Sequence, residues 1–236
     1  MITPGRLFLF PVPISEEEGA LHIPEFNLKQ IRLISHFIVE DEKTARRNLK
    51  LFGHPDIPSV SLNLLNEHTK KEEIYELLKP LLQGKNTALM SDAGCPGIAD
   101  PGAELINLAH KNGIDVIPFS GPSSVVLSIM ASGFNSQNFA FCGYLPVEKT
   151  QRIRKIKELE KLAVNQKQAQ FFIETPYRNE QIFEALLKNL APQTKLFVGI
   201  NLQTKNQFLK SSTVAEWLQL PKPELHKVPA VFGIFY

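Results

Sequence analysis

The strongest constraint on what this chain can fold into is a regular alternation of short apolar runs with segments whose apolar residues recur at helical spacing. Residues 7–10 are apolar and end in Pro11-Val12-Pro13, which predicts a buried strand stopped by proline. Ile34, Phe37, Ile38 and Val39 suggest a second strand over 31–39, and residues 43–52 read as a helix closed by Gly53 and Pro55. Ile74, Leu77, Leu78, Leu81 and Leu82 then mark one helix face, with Pro80 placed to kink or shorten that helix. A strand over 87–92, a helix over 104–112 closed by Gly113 and a strand over 114–119 follow. Strands separated by helices imply a mainly parallel, doubly wound sheet, and hence an α/β fold.

After Ser120-Gly-Pro-Ser-Ser124 a second series begins. The helix it opens contains Val125, Val126 and Ile129. Strands are expected over 139–142, 169–174, 195–200, near Phe208 and over 230–236, with helices over 152–164 and 179–190 and a short one through Trp217. The junction falls near 117–124, giving an N-terminal α/β domain over 1–118 and a C-terminal one over 119–236. A chain of 236 residues with a net charge of +2 is long enough to bury a core and is not generally polycationic, so nucleic-acid binding would need a local basic patch. No run approaches the ~20 apolar residues of a bilayer span, and the start lacks a secretory pattern. Two cysteines, Cys95 and Cys142, make neither a disulfide framework nor a metal cluster, and no histidine pair has ligand spacing. A cytoplasmic, metal-free protein is expected.

The most informative stretch is Ser91-Asp-Ala-Gly-Cys-Pro-Gly-Ile-Ala-Asp-Pro-Gly102. It leaves the carboxyl end of a strand, the edge at which open α/β sheets bind ligands. Its glycines let main-chain groups approach a ligand closely, its prolines fix a shape, and Asp92 and Asp100 offer carboxylates. The plain alternative is a rigid connector whose aspartates cap turns. The stretch is neither a dinucleotide fingerprint nor a P-loop, and Ser120–Ser124 is not a nucleophile elbow. Basic residues gather at 149–161 (Lys149, Arg152, Arg154, Lys155, Lys157 and Lys161) and again at Arg46, Arg47 and Lys50. Either cluster can grip phosphates or simply form a solvated helix face.

Taken together with Gly121-Pro-Ser-Ser124, Ala131-Ser-Gly133, Phe139-x-Phe141-x-Gly143-Tyr-Leu-Pro146 and Glu174-Thr-Pro-Tyr-Arg178, the 91–102 stretch resembles the tetrapyrrole methylase superfamily. The resemblance lies on its ribosomal RNA small-subunit methyltransferase I branch. Glu40-Asp41, Arg46-Arg47, Leu49, Lys50, Phe52 and Gly53 fit a segment of that branch without gaps, and Asn66-Glu67-His68 sits where it has a short polar motif. The resemblance implies two α/β domains with a cleft between them, assembly as a homodimer, S-adenosylmethionine as cofactor and the ribose 2′-hydroxyl of a 16S ribosomal RNA cytidine as acceptor. It implies cofactor contacts from Pro13, Asp92, Ala93, Gly94, Ile98, Ala99, Ser123, Glu174, Leu202, Pro229 and Ala230.

The chain also departs from that branch, as a divergent paralogue would. Thr-Pro-Ile-Gly-Asn after the first strand becomes Val12-Pro13-Ile14-Ser15-Glu16, opening an acidic run through Glu18. Glu-Asp-Thr-Arg becomes Glu40-Asp41-Glu42-Lys43, and Glu-Leu-Thr-Lys becomes Asn201-Leu-Gln-Thr-Lys205. Glu40, Asp41 and Lys43 are the candidates for assisting proton removal from a hydroxyl, and Arg178, Arg152 and Arg154 those for phosphate contact. Two other readings stay open. One keeps the cofactor and takes a small acceptor such as a tetrapyrrole. The other is a degenerate family member that binds without catalysis.

Overall fold

A computed structural model describes residues 3–17 and 19–236. Contacts divide the chain into two compact units, Met1–Ser123 and Ser124–Tyr236. Each is an α/β layer structure with its own sheet.

In the first unit the elements run β1 (Leu7–Leu9), α1 (Glu25–Ile31), β2 (His36–Val39), α2 (Glu42–Leu51), β3 (Ser61–Leu64), α3 (Lys71–Glu76), α4 (Lys79–Leu82), β4 (Thr87–Met90), α5 (Gly102–Lys111) and β5 (Val116–Pro118). The sheet order is β3-β2-β4-β1-β5, and every neighbouring pair is parallel. Strand alternation sorts the side chains. Phe8, Phe37, Val39, Ala88 and Met90 join Leu28, Ile31, Leu49 and Phe52 under α1 and α2. Leu7, Ile38 and Leu89 join Ile74, Leu81, Leu105 and Ala109 under α3 to α5. With both faces covered, the strands read as continuous apolar runs rather than alternating ones.

Two expectations need correction here. The strand expected over 31–39 is confined to His36–Val39, because Ile31 ends α1, a helix the sequence reading did not foresee. The buried Asn27 interrupts its apolar stripe, and its Nδ2 donates to Ser120 O at 2.6 Å. Strand β3 also went unforeseen, since four half-exposed residues at a sheet edge carry little hydrophobic signal. The helix carrying Pro80 does break: α3 ends at Glu76, and α4 restarts with the proline in its first turn, where the missing N–H costs nothing.

The second unit contains α6 (Ser124–Ser132), β6 (Phe139–Tyr144), α7 (Lys149–Gln166), β7 (Ala169–Glu174), α8 (Asn179–Asn189), β8 (Lys195–Ile200), β9 (Phe208–Thr213), α9 (Val214–Trp217) and β10 (Ala230–Phe235). The expectation of a mainly parallel sheet fails here. The order is β6-β7-β10-β8-β9; only β6 and β7 run parallel, and β10 is antiparallel to both of its neighbours. The returning C-terminal strand inserts at the sheet centre, which the order of elements along the chain does not specify. Phe172, Val198 and Phe232 pack beneath α7, α8 and α9, while Phe171 and Phe197 pack with Phe134 and Ile129 of α6 on the other face. Helix α7 starts three residues earlier than expected because Glu148 caps it, accepting from Thr150 N and Gln151 N.

Gly121 shows how tightly the first unit closes. A Cβ there would overlap Cβ of Pro11 and stand 2.7 Å from its Cγ, and a proline ring cannot swing away. Gly121→Ala is therefore expected to cost about 1–3 kcal/mol. The check is a urea midpoint that falls while the dependence on urea keeps its slope.

Candidate functional site

All five strands of the first sheet point the same way, so the segments leaving them meet at one carboxyl edge. Val12 and Gly94 exchange both main-chain hydrogen bonds, Val12 N to Gly94 O at 2.9 Å and Gly94 N to Val12 O at 3.2 Å. This bridge ties the stretch after β4 to the stretch after β1. Cys95 Sγ reaches Pro122 O at 3.4 Å, adding the segment after β5. Three sequence motifs far apart along the chain thus converge.

The 91–102 bend is rigid for local reasons. Asp100 Oδ1 accepts from Gly97 N at 2.6 Å and from Gly102 N at 3.0 Å. A Cβ on Gly102 would stand 2.8 Å from Leu89 Cδ2, and Gly94, Gly97 and Ala99 all have left-handed backbones. Asp100 is therefore an internal brace rather than a carboxylate offered to a ligand. Gly94 is likewise buried, with its N–H and carbonyl both engaged by Val12. Asp92, Ala93, Ile98 and Ala99 are the exposed members of the bend.

Beside the bend lies a hollow of ≈ 680 Å³. Its walls are Pro13, Ile14, Ser15 and Glu16 after β1, the Arg47 to Leu51 face of α2, and Asp92 with Ala93. That volume lies within the ~300–1,000 Å³ of small-molecule sites. Ile14 and Leu51 supply apolar surface, and Asp92 supplies an acceptor for hydroxyls or a positive centre. S-adenosylmethionine, with its adenosine and its cationic sulfonium, fits this donor set. Of the expected cofactor residues in this unit, Pro13, Asp92 and Ala93 line the hollow. Gly94 supports it from behind, and Ile98, Ala99 and Ser123 are not part of its wall.

Of the three residues considered for proton removal, Glu40 is the one tied to the bend, through Asp92, though it is not itself part of the hollow's wall. It follows β2, is half-buried, and its Oε1 accepts from Asp92 N at 3.2 Å. Burial, chiefly, together with the negative charges of Asp100 and Asp92, pushes its carboxyl up to about 7 against the opposing effect of that hydrogen bond. Burial and Asp41 also raise Asp92, with Arg47 acting the other way. Asp41 instead caps α2, accepting from Thr44 N at 2.7 Å, and this bonding holds its carboxyl below the usual range. Lys43 lies exposed on the first turn of α2.

In the second unit the register places Glu174 opposite Ala230 and Ala230 opposite Ile200. Pro229 O accepts from Asn201 N at 3.1 Å, and Leu202 follows directly. Glu174, Leu202, Pro229 and Ala230 therefore gather at one edge of that sheet. Two of the expected phosphate contacts are corrected. Arg152 is 3% exposed and its Nη1 donates to Val147 O at 2.8 Å. Arg178 Nη2 donates to Leu145 O and Pro146 O and lies 3.2 Å from Glu174 Oε2. Both guanidinium groups brace the 145–147 turn from within; Arg154 is exposed. Glu18 lies outside the described residues. Among the described residues no group of His, Cys, Asp and Glu is placed to hold a metal ion, and no helix is long and apolar enough to cross a membrane.

The raised Glu40 carboxyl has a consequence for stability. Because its folded value lies above that of the unfolded chain, the protonated form favours the fold. This contribution is complete below the unfolded value near 4.5 and is lost as pH rises through about 7. Glu40→Gln should remove that loss. After allowing for the group's partial exposure, the gain at pH 8 is about 1 kcal/mol, or roughly 2–4 °C in Tm. Melting curves of both proteins at pH 5 and pH 8 check this, with the difference expected only at the higher pH.

Residues 30–217 match the family model of the Tetrapyrrole (Corrin/Porphyrin) Methylases. The ribosomal RNA small subunit methyltransferase I of Halalkalibacterium halodurans is 33% identical over 208 residues, covering 88% of this chain and 68% of that protein. The protein of the same name from Bacillus subtilis is 31% identical over 212 residues, covering 90% and 68%. That from Pseudomonas aeruginosa is 28% identical over 222, covering 94% and 72%. Among solved structures, the methyltransferase CobJ superposes with a TM-score of 0.64 at 13% identity, covering 98% of this chain and 94% of that one, and so shares its fold. Its sequence, its two α/β units and the hollow beside its 91–102 bend agree: the chain belongs to the tetrapyrrole methylase family, whose members are methyltransferases that use S-adenosylmethionine.

Proposed function

We propose that the protein methylates a ribose 2′-hydroxyl of small-subunit ribosomal RNA, with Glu40 as general base. The observation that carries the chemistry is the Glu40 carboxyl, pushed up to about 7 and accepting from the main-chain N–H of Asp92, a residue that lines the hollow. A ribose hydroxyl is a poor nucleophile at neutral pH, and a base is most effective when its own pKa lies near the working pH. S-adenosylmethionine supplies an activated methyl group on a sulfonium. Transfer needs hydroxyl oxygen, methyl carbon and sulfur in line, so much of the chain's contribution is positioning. The rigid bend, braced by Asp100 and locked to Val12, suits that task. Charged Glu40 takes the hydroxyl proton, and Asp92 accepts from hydroxyls bound in the hollow. The RNA acceptor is supported by the relatives, whose names specify it and which match along most of this chain. Homodimer assembly and a cytoplasmic setting belong to the same reading.

Equilibrium dialysis with labelled S-adenosylmethionine is expected to show saturable binding. Asp92→Asn should weaken it about tenfold, the loss of one hydrogen bond to a charged group. Nucleosides from ribosomal RNA of cells lacking the protein should be short of one 2′-O-methylated species; identical digests reject the acceptor. With the methylation assay in hand, Glu40→Gln should lower kcat by about 10²–10⁴ while leaving cofactor binding intact. Wild-type kcat should climb through about pH 7 as Glu40 ionises, and the variant should lack that limb.

A further inference from the structure

The basic cluster on α2 divides into two faces. Arg46 Nη1 donates to Ile57 O at 3.2 Å, and its Nη2 lies 3.9 Å from Glu42, so its cation is engaged away from the hollow. Arg47 and Lys50, three residues apart and hence neighbours on the helix surface, both line the hollow. Asp92 and Ala93 form another part of the same wall. The hollow is therefore electrically divided, with a basic margin on α2 and an acidic one at the bend. A nucleotide has the matching division: hydroxyls at the sugar and a negative phosphodiester beside it.

One acidic group stands on the basic margin. Glu16 Oε1 forms an ion pair with Arg47 Nη1, and Glu16 also lines the hollow. Both side chains are more than half exposed, and a pair so exposed contributes little to folding. Its consequence lies in occupancy. A carboxylate and a phosphate present the same acceptor oxygens to a guanidinium, so one excludes the other from the same N–H groups. Glu16 sits in the short segment after β1, among bends rather than in a strand or helix.

We propose that Arg47 and Lys50 form a subsite for a phosphate of the RNA acceptor, and that Glu16 occupies it in the RNA-free protein and must give way when RNA binds. The inference rests on the ribosomal RNA reading and deepens it. Glu16 acts as a filter in this arrangement: a ligand without a phosphate at this position does not displace it, and non-specific polyanions meet a partly neutralised margin.

The test uses the full chain and an unmodified 16S ribosomal RNA transcript in filter binding, with S-adenosylmethionine dialysis run in parallel. Arg47→Ala is expected to weaken RNA binding about tenfold, and by more than it weakens binding of the cofactor in the same hollow. It should also reduce the steepness of log K against log salt by about 0.7, the loss of one phosphate contact. Glu16→Gln should tighten RNA binding two- to fivefold, and this gain should vanish in the Arg47→Ala background. Arg47→Lys, which keeps the charge and loses the fork, should preserve the salt slope while losing affinity, and it serves also if the alanine variant does not fold. An Arg47→Ala variant that loses cofactor affinity but not RNA affinity overturns the proposal, because the guanidinium then serves the methionine carboxylate. A Glu16→Gln gain that persists without Arg47 also overturns it, because the effect is then general repulsion. Wild-type protein that binds S-adenosylmethionine and no RNA would instead reject the ribosomal RNA reading itself.

Discussion

The site in the first unit depends on the pair of main-chain hydrogen bonds between Val12 and Gly94. A parallel sheet places the ends of its strands at one edge but does not fix the segments that leave them. The bridge does so, by giving the segment after β1 and the segment after β4 one additional rung beyond the sheet. Gly94 holds a backbone with φ of +76°, which an ordinary side chain resists, and Ile14 Cγ2 stands 3.4 Å from where a Cβ would be. Asp92 and Ala93 are then presented at the hollow as a consequence of a bond made two residues further on.

Electrostatics follow from that placement. The amide of Asp92 donates to Glu40 Oε1, which ties the half-buried carboxylate that follows β2 to the bend. The same contact brings Asp92 and Asp100 close enough to oppose its ionisation. One hydrogen bond thus ties the group to the bend, and burial, more than its charged neighbours, raises its carboxyl. Asp41, one residue along, has the opposite fate because it is exposed, so the hydrogen bonds from Thr44 outweigh the effect of burial. Adjacent carboxylates thus shift in opposite directions because one is half-buried and the other is not.

Much of this was legible in the sequence. The alternation of elements revealed the parallel first sheet, and Pro80 marked a real break between α3 and α4. The glycines and prolines of 91–102 marked a shaped bend at a strand's carboxyl end. What remained hidden was of two kinds. The central position of β10 depends on where a distant strand finds its partners, which no local pattern records. The fates of Arg152 and Arg178 depend on three carbonyls in the 145–147 turn, which bind guanidinium groups that look, in one dimension, like a surface charge cluster. Residue type announces what a side chain can do, and only the fold decides which atoms it meets.

The departures from the ribosomal RNA branch can be weighed in the same terms. At Val12, where the branch has threonine, the side chain is fully buried and the bridge to Gly94 uses main-chain atoms alone. Exchanging a hydroxyl for a methyl there leaves the scaffold of the bend intact. Pro13 and Ile14, which match the branch, still line the hollow. Two changes reach the hollow: Ser15 adds a hydroxyl to its wall where the branch has glycine, and Glu16, where it has asparagine, meets Arg47. In 201–205, Asn201 and Gln203 hold left-handed backbones beside the pair of strands β8 and β9. Asparagine tolerates that conformation better than most residues, since its short amide can bond locally. The divergent segments therefore keep the frame of the fold, and of the two exchanges in the hollow's wall the one at Glu16 adds a negative charge at its basic margin.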